Sequence, residues 1–378
     1  MKVPFVYGKI AAEENFTNRT AELHRIRQNF ESLTNTILIS PRRWGKSSLV
    51  KKAAEKSFAH EANIKFCFID LYSVRTEEQF YITLAKEILK ATNSKFENII
   101  EDARHFLAQL MPKITFGADP HNDISLSLDI EETLKSPDDI INLAENIAKS
   151  RNLKLVVCID EFQNLSVFSD PLAVQKRLRA AWQNHTNVGY CLYGSKRQML
   201  MDLFTSPKMP FYNFGDIIFL EKIKTEDWID FIMSRFKKTG KMIDEKSSDL
   251  IVSLVGNHPY YVQQLSQQSW MRTQYICDEY IVKESYESLV LQMSLLFQNQ
   301  TDRLSNTQVS FLEAMLHGEE QLNSQRVMTK YNLGTSGNIM KIKKALIDKE
   351  IIDIEREKIN FIDPLYQGWL KKFYFRIN

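Results

Sequence analysis

Cysteine is scarce in this sequence. Cys67, Cys158, Cys191 and Cys277 are the four among 378 residues. They lie far apart and the first three sit in apolar runs, which argues against a disulfide framework or a zinc site and for buried thiols in a reducing compartment. Net charge is equally sparse. With 49 Lys and Arg against 47 Asp and Glu the balance is +2, too little to argue by itself for nucleic acid or a membrane surface. No run approaches the ~18 apolar residues of a membrane helix, and the opening MKVPFVYGKI lacks the apolar core of a signal peptide. The expectation is a cytoplasmic protein with no membrane partner. An apolar content of 44% and a charged content of 25% exclude a disordered chain, and the length predicts two or three domains.

What is present concentrates in NTILISPRRWGKSSLVK, residues Asn35 to Lys51. Ile37, Leu38 and Ile39 read as a buried strand, Pro41 breaks it, and Leu49 and Val50 open a helical pattern. The stretch Ser40, Pro41, Arg42, Arg43, Trp44, Gly45, Lys46, Ser47, Ser48 follows the Walker A form G-x-x-x-x-G-K-[ST], with Ser40 in place of the first glycine. Gly45 lets the backbone close round a phosphate at a helix N-terminus. Lys46 reaches the β- and γ-phosphates in such a loop, and the Ser47 hydroxyl holds Mg²⁺.

About 110 residues further on, KLVVCIDEFQNL places five apolar residues, Leu155 to Ile159, ahead of Asp160 and Glu161. This is the Walker B pattern, in which the aspartate serves Mg²⁺ and the next carboxylate polarises the attacking water. Both motifs end buried strands, where ligands of open α/β sheets bind.

With Phe16, Arg19 and Glu22 in FTNRTAEL ahead of SPRRWGKSS, and CIDEF after it, the sequence resembles the prokaryotic and archaeal ATPases of the AAA+/STAND P-loop group. The resemblance implies that the first element packs by the adenine and contributes Arg19 near the nucleotide. It identifies Val188 to Gly194 as the sensor strand between the two Walker strands, with Ser195 within reach of the γ-phosphate or the lytic water. It implies an arginine around Phe214, which this sequence lacks. Further along, Gly256-Asn257-His258-Pro259 is similar to the G-x-x-P element of the family's lid, which puts His258 and Pro259 by the nucleotide base. Arg177 and Arg179, on a helix after Walker B, are candidates for a finger toward a neighbouring subunit. Asp70, ending the strand-like IKFCFIDL, is a candidate for the magnesium shell.

Elsewhere the patterns assign architecture. Ile114 and Phe116 alternate, as do Ile124, Leu126 and Leu128, about Asp119-Pro120-His121-Asn122, which predicts a β-hairpin inserted in the nucleotide domain over 113–129. Ser136 and Pro137 predict a helix start. Residues Thr225 to Gln300 read as helical, with no strand-like runs of length. Beyond them, three helices and two short strands read as a winged helix, Lys341, Lys343 and Lys344 lying on its third helix. Over residues Leu304 to Asn378 eleven Lys and Arg face nine Asp and Glu, with Asp353, Glu355 and Glu357 in the wing, which favours a protein partner over DNA.

The expected fold class is α/β, a P-loop NTPase whose five-stranded parallel sheet has the order 5-1-4-3-2, with a helical lid and a C-terminal winged helix. The expected domains are 1–222, 223–302 and 303–378. The expected function is slow, Mg-dependent ATP binding and hydrolysis coupled to conformational change or assembly, with ATP and Mg²⁺ as cofactors, Lys46, Glu161 and Ser195 as catalytic residues, and ATP-dependent oligomerisation open. The alternatives are a nucleotide switch or scaffold with little turnover, or an ATP-regulated DNA-binding protein.

Overall fold

The computed structural model describes residues 3–9, 15–61, 63–93, 98, 101, 105, 114–118, 124–128, 137–355 and 358–377. The chain forms two compact units, one of residues 18–221, the other of residues 1–17 with 222–378.

In the first unit, strands β1 (Thr36–Ile39), β2 (Ile64–Asp70), β5 (Lys154–Asp160), β6 (Val188–Gly194) and β7 (Asp216–Phe219) form one sheet in the order β2-β5-β6-β1-β7. All four of its neighbour pairs are parallel, and in sequence terms this is the expected order 5-1-4-3-2. Parallel strands are covered on both faces, so they read as unbroken apolar runs. Every residue of β1 and β6 is buried, as are Leu155 to Ile159 of β5. Helices α1 (Thr20–Glu31), α2 (Lys46–His60) and α3 (Glu77–Thr92) are the first of those that pack on the sheet. Beside β6, Trp182 stacks on Tyr190 at 4.1 Å, within an aromatic group that includes Phe162, Phe204, Phe211 and Phe214.

The register decides what meets at the strand ends. Ile39 lies opposite Gly194, and Asp70 opposite Asp160. With β5, β6 and β1 as consecutive neighbours, residues more than a hundred positions apart in sequence share one edge. The inserted hairpin is present as β3 (Ile114–Ala118) paired antiparallel with β4 (Ile124–Leu128). Its turn, Asp119 to Asn122, lies outside the described residues, as does Ser136.

The second unit is mainly helical. As expected, Thr225 to Gln300 is helical with no strand of length; the pair β8 (Met242–Ile243) and β9 (Ile276–Cys277), which is parallel, is the short addition. Two residues per strand are too few to show period-2 alternation. Phe5 belongs to this unit's core, its ring centroid 6.2 Å from that of Phe231 and 5.8 Å from that of Phe236. Towards the C-terminus, helices Asn306–Leu316, Gln325–Lys330 and Ser336–Asp348 precede the antiparallel strands β10 (Ile352–Glu355) and β11 (Lys358–Phe361). That is the winged helix. The side chain of Ser305 and that of Gln308 cap the first of its helices reciprocally, a device that satisfies two orphan backbone donors. On the third, Ile339, Ile342 and Leu346 face the core, while Met340, Lys341 and Lys344 are exposed and Lys343 is half-buried.

Candidate functional site

The loop between β1 and α2 turns on two left-handed residues, Arg43 at φ 62° and Gly45 at φ 86°. Glycine adopts that region without penalty. Ser40 is fully buried and is not among the residues with positive φ, so the position where the motif has its first glycine makes no such demand here. Its hydroxyl donates to Pro41 O at 3.2 Å. Pro41 is half-buried, Arg42 and Arg43 are exposed, and Trp44, Lys46 and Ser48 are buried. Helix α2 starts at Lys46, so its unpaired N–H groups and the positive end of its dipole open onto the loop.

Two contacts join the loop to the end of β5. Ser47 Oγ donates to Asp160 Oδ2 at 2.7 Å, and Lys46 Nζ lies 3.7 Å from Glu161 Oε1. Glu161 sits at φ 53°, turned back by Asp160 Oδ1, which accepts its N–H at 2.8 Å. Its other oxygen, Oε2, accepts from Ser195 Oγ at 2.9 Å, from Ser195 N at 3.3 Å and from Gln163 Nε2. Arg42 Nε in turn donates to Ser195 Oγ at 3.4 Å. The structure thus gathers Arg42, Lys46, Ser47, Asp160, Glu161 and Ser195 at one edge.

The two carboxyls differ in their electrostatics. Burial raises the Asp160 pKa, and the opposing pull of Lys46 and Ser47 does not restore it. Burial also pushes Glu161 upward, but Lys46, Gln163 and Ser195 outweigh it and leave the carboxyl below its ordinary value. The two neighbouring carboxyls are thus shifted in opposite directions, Asp160 upward and Glu161 downward. Ser47 and Asp160 offer adjoining hard oxygen donors, and this donor set fits magnesium, which takes few protein oxygens and keeps water and phosphate for the rest. Asp70, exposed beside Asp160 in the sheet, accepts from Tyr72 N at 2.8 Å. Among the described residues no group of three or more His, Cys, Asp or Glu forms a further metal site.

Arg19 acts on the loop rather than from solvent. Only 5% exposed and at φ 75°, it donates to Glu221 O at 2.8 Å and to Trp44 O at 3.3 Å, and pairs with Glu22 at 3.2 Å. Burial lowers its pKa against the pull of Glu22. Arg177 is engaged by Glu77 at 2.8 Å and by the Tyr81 hydroxyl at 3.1 Å, and Arg179 lies 5.0 Å over the Phe214 ring. An arginine thus reaches the neighbourhood of Phe214 from helix Pro171–Trp182.

Phe16, His258 and Pro259 belong to the second unit. Phe16 is half-buried. Gly256 and Asn257 take positive φ, and Asn257 Nδ2 donates to Ile223 O at 3.1 Å and Thr225 Oγ1 at 2.9 Å, fixing the turn. Pro259 opens helix Pro259–Arg272, and buried His258 packs 4.8 Å from Tyr261. Asn257, Gln163 and the Arg42 contact to Ser195 escaped the sequence reading. Of these, only the DEFQ run offered a signal.

A family model described as an ATPase domain predominantly from Archaea matches residues 16–265, and a probable winged helix domain matches residues 295–372. No curated protein matches the sequence. Among solved structures, a Walker-type ATPase of Pyrococcus abyssi is 19% identical with a TM-score of 0.67, over 97% of this chain and 99% of that one. The Aeropyrum pernix ORC2 protein, solved as ADPNP-ADP complexes, is 14% identical with a TM-score of 0.56, over 96% of this chain and 94% of that one. The ORC1 protein of the same organism, solved in complex with DNA, is 11% identical with a TM-score of 0.50, over 96% and 94%. The P-loop sheet, the winged helix and the match across residues 16–265 lead to one conclusion: this chain belongs to the family of ATPase domains found predominantly in Archaea.

Proposed function

We propose that this chain binds ATP with magnesium, hydrolyses it slowly and couples nucleotide state to its C-terminal module. The observation that carries the reading is the meeting of the two Walker segments, Ser47 on Asp160 at 2.7 Å and Lys46 beside Glu161 at 3.7 Å. In this reading the loop amides between Ser40 and Ser48 cradle the phosphates. Lys46 supplies charge to the β- and γ-oxygens. Ser47 and Asp160 hold magnesium, which when bound neutralises phosphate charge. Glu161 accepts a proton from the attacking water, and Ser195 orients it. Arg19 sets the loop through Trp44 O. For the base of the nucleotide the proposal follows the family resemblance of Phe16, His258 and Pro259.

Slow turnover is supported by one feature: Arg177 and Arg179 are engaged within their own unit. Ser47→Ala tests the metal assignment. It should raise the magnesium concentration for half-maximal phosphate release by roughly tenfold, the scale of one lost charge-assisted contact. An unaltered magnesium dependence would remove Ser47 from the shell.

We assign the lid and the winged helix the coupling role, with a protein as partner. Tyr261, two residues after Pro259, donates to Asp363 Oδ2 at 2.6 Å, while Asp363 Oδ1 caps helix Pro364–Trp369 through Leu365 N and Tyr366 N. Tyr366 is bonded to Thr301 at 2.8 Å. A shift of the lid helix is thereby passed to the wing side of the module. The near balance of eleven Lys and Arg against nine Asp and Glu over residues Leu304 to Asn378 suits a protein better than phosphate. Hydrogen exchange over residues Leu304 to Asn378 should differ between ATP-like and ADP states, and Tyr261→Phe should shrink the difference; equal exchange in both states refutes the coupling. The second reading, DNA binding, is favoured by the fold likeness to a protein solved with DNA. Tight, salt-sensitive duplex binding lost on replacing Lys341, Lys343 and Lys344 would establish it.

A further inference from the structure

Gln163 is 1% exposed on the 3₁₀ turn Phe162–Val167 that follows Glu161, a turn pinned by Phe162 against Phe211 at 5.2 Å and Phe204 at 5.8 Å. Its two ends are unequally served. Nε2 donates to Glu161 Oε2, whereas Oε1 is buried with no hydrogen-bond partner among the described residues. Buried polar atoms are almost always paired, so an orphan oxygen marks a side chain kept for its other end. The neighbouring strand makes room for it. A Cβ built on Gly194 would stand 1.9 Å from Gln163 Oε1 and 3.0 Å from its Cδ, while the backbone at Gly194 is not in the left-handed region. Glycine is needed there for space, not for conformation.

We propose that Gln163 is a positioning residue for the reaction, its amide and Ser195 together holding one oxygen of Glu161 so that the other is the one presented to water, with Gly194 as the gap that admits the amide. The inference rests on Glu161 being the base of the proposed hydrolysis. Glu161 Oε2 is saturated by three donors, and Oε1 faces Lys46. Once Lys46 turns to phosphate, Oε1 is left as the basic atom in a fixed place. Loss of the amide frees the carboxylate to rotate, and misplacement of a reacting group by an ångström costs up to about 10²-fold.

The test uses the full chain with Mg-ATP. Gln163→Met, close in volume and without donors, should lower kcat by roughly tenfold to a hundredfold while KM and the calorimetric Kd for ATP stay within about twofold, as expected when only a transition-state interaction is lost. Gly194→Ala should reproduce the loss by displacing the amide. The double variant Gly194→Ala/Gln163→Ala should be no slower than Gln163→Ala alone, since no amide remains to displace. A wild-type kcat in Gln163→Met overturns the inference, as does a fall in ATP affinity parallel to kcat. If Gln163→Met does not fold, the alanine pair decides, and additive losses at 194 and 163 overturn it. Glu161→Gln separates the two claims. Wild-type turnover in that variant removes the base and this inference with it, whereas a slow Glu161→Gln beside a fast Gln163→Met removes the positioning role alone.

Discussion

Glu161→Gln should bind ATP as tightly as the unaltered chain and release phosphate roughly 10²-fold or more slowly, the scale of a general base. The substitution keeps the shape of the side chain and removes its negative charge. Asp160 Oδ1 still accepts the backbone N–H of residue 161, so the turn at φ 53° keeps its support, and Ser195 and Gln163 can still donate to the amide oxygen. Lys46, now without the carboxylate 3.7 Å away, has no competitor to phosphate, so affinity holds or rises. The two quantities move independently, and that separation identifies the residue. Calorimetry with Mg-ATP gives the first and phosphate release the second. Equal rates in both proteins would transfer the base elsewhere and favour a nucleotide-operated scaffold.

Much of this site could be read before any fold was known, because phosphate binding needs particular residue types in one short segment. Gly45, Lys46 and Ser47 are consecutive, and Asp160 and Glu161 close an apolar strand. The order of the sheet followed from the resemblance, and the register explains why it matters, since Ile39 opposite Gly194 brings Ser195 beside the loop. Ser40, the departure from the motif, is explained by conformation. The left-handed residues of this loop are Arg43 and Gly45, so a small buried hydroxyl takes the first position.

What sequence could not supply is contact between distant segments. Arg19 is legible as an arginine before the P-loop, but its bonds to Trp44 O and Glu221 O depend on a left-handed turn at Asn18 and Arg19. Arg177 reads as an arginine on a helix, and only the packing against α3 gives it Glu77 and Tyr81. Gln163 needs Gly194, a strand away, before its burial makes sense. The place of Phe5 in the core of the second unit was hidden for the same reason: one aromatic ring in a polar segment carries no periodicity to announce its partners.

Lys46→Ala should weaken Mg-ATP binding by an order of magnitude or more, about 1.4 kcal/mol per tenfold. Lys46 is 7% exposed at the first turn of α2, where a cation stands against the helix dipole, an arrangement that favours anions at that end. Such a placement costs stability unless an anion offsets it. Glu161 Oε1 at 3.7 Å is one such anion, and in the proposed function phosphate is the other. Removing the ammonium takes away the charge-assisted bonds to phosphate and also leaves Glu161 in a largely buried place without its cation, which lowers stability. The two effects separate in Lys46→Ala/Glu161→Gln, which removes the unpaired carboxylate. Thermal unfolding of the double variant should recover towards that of the unaltered chain, while its ATP affinity stays as weak as that of Lys46→Ala. Unchanged affinity in Lys46→Ala would take the loop out of nucleotide binding, and affinity restored in the double variant would show that Lys46 serves Glu161 rather than phosphate.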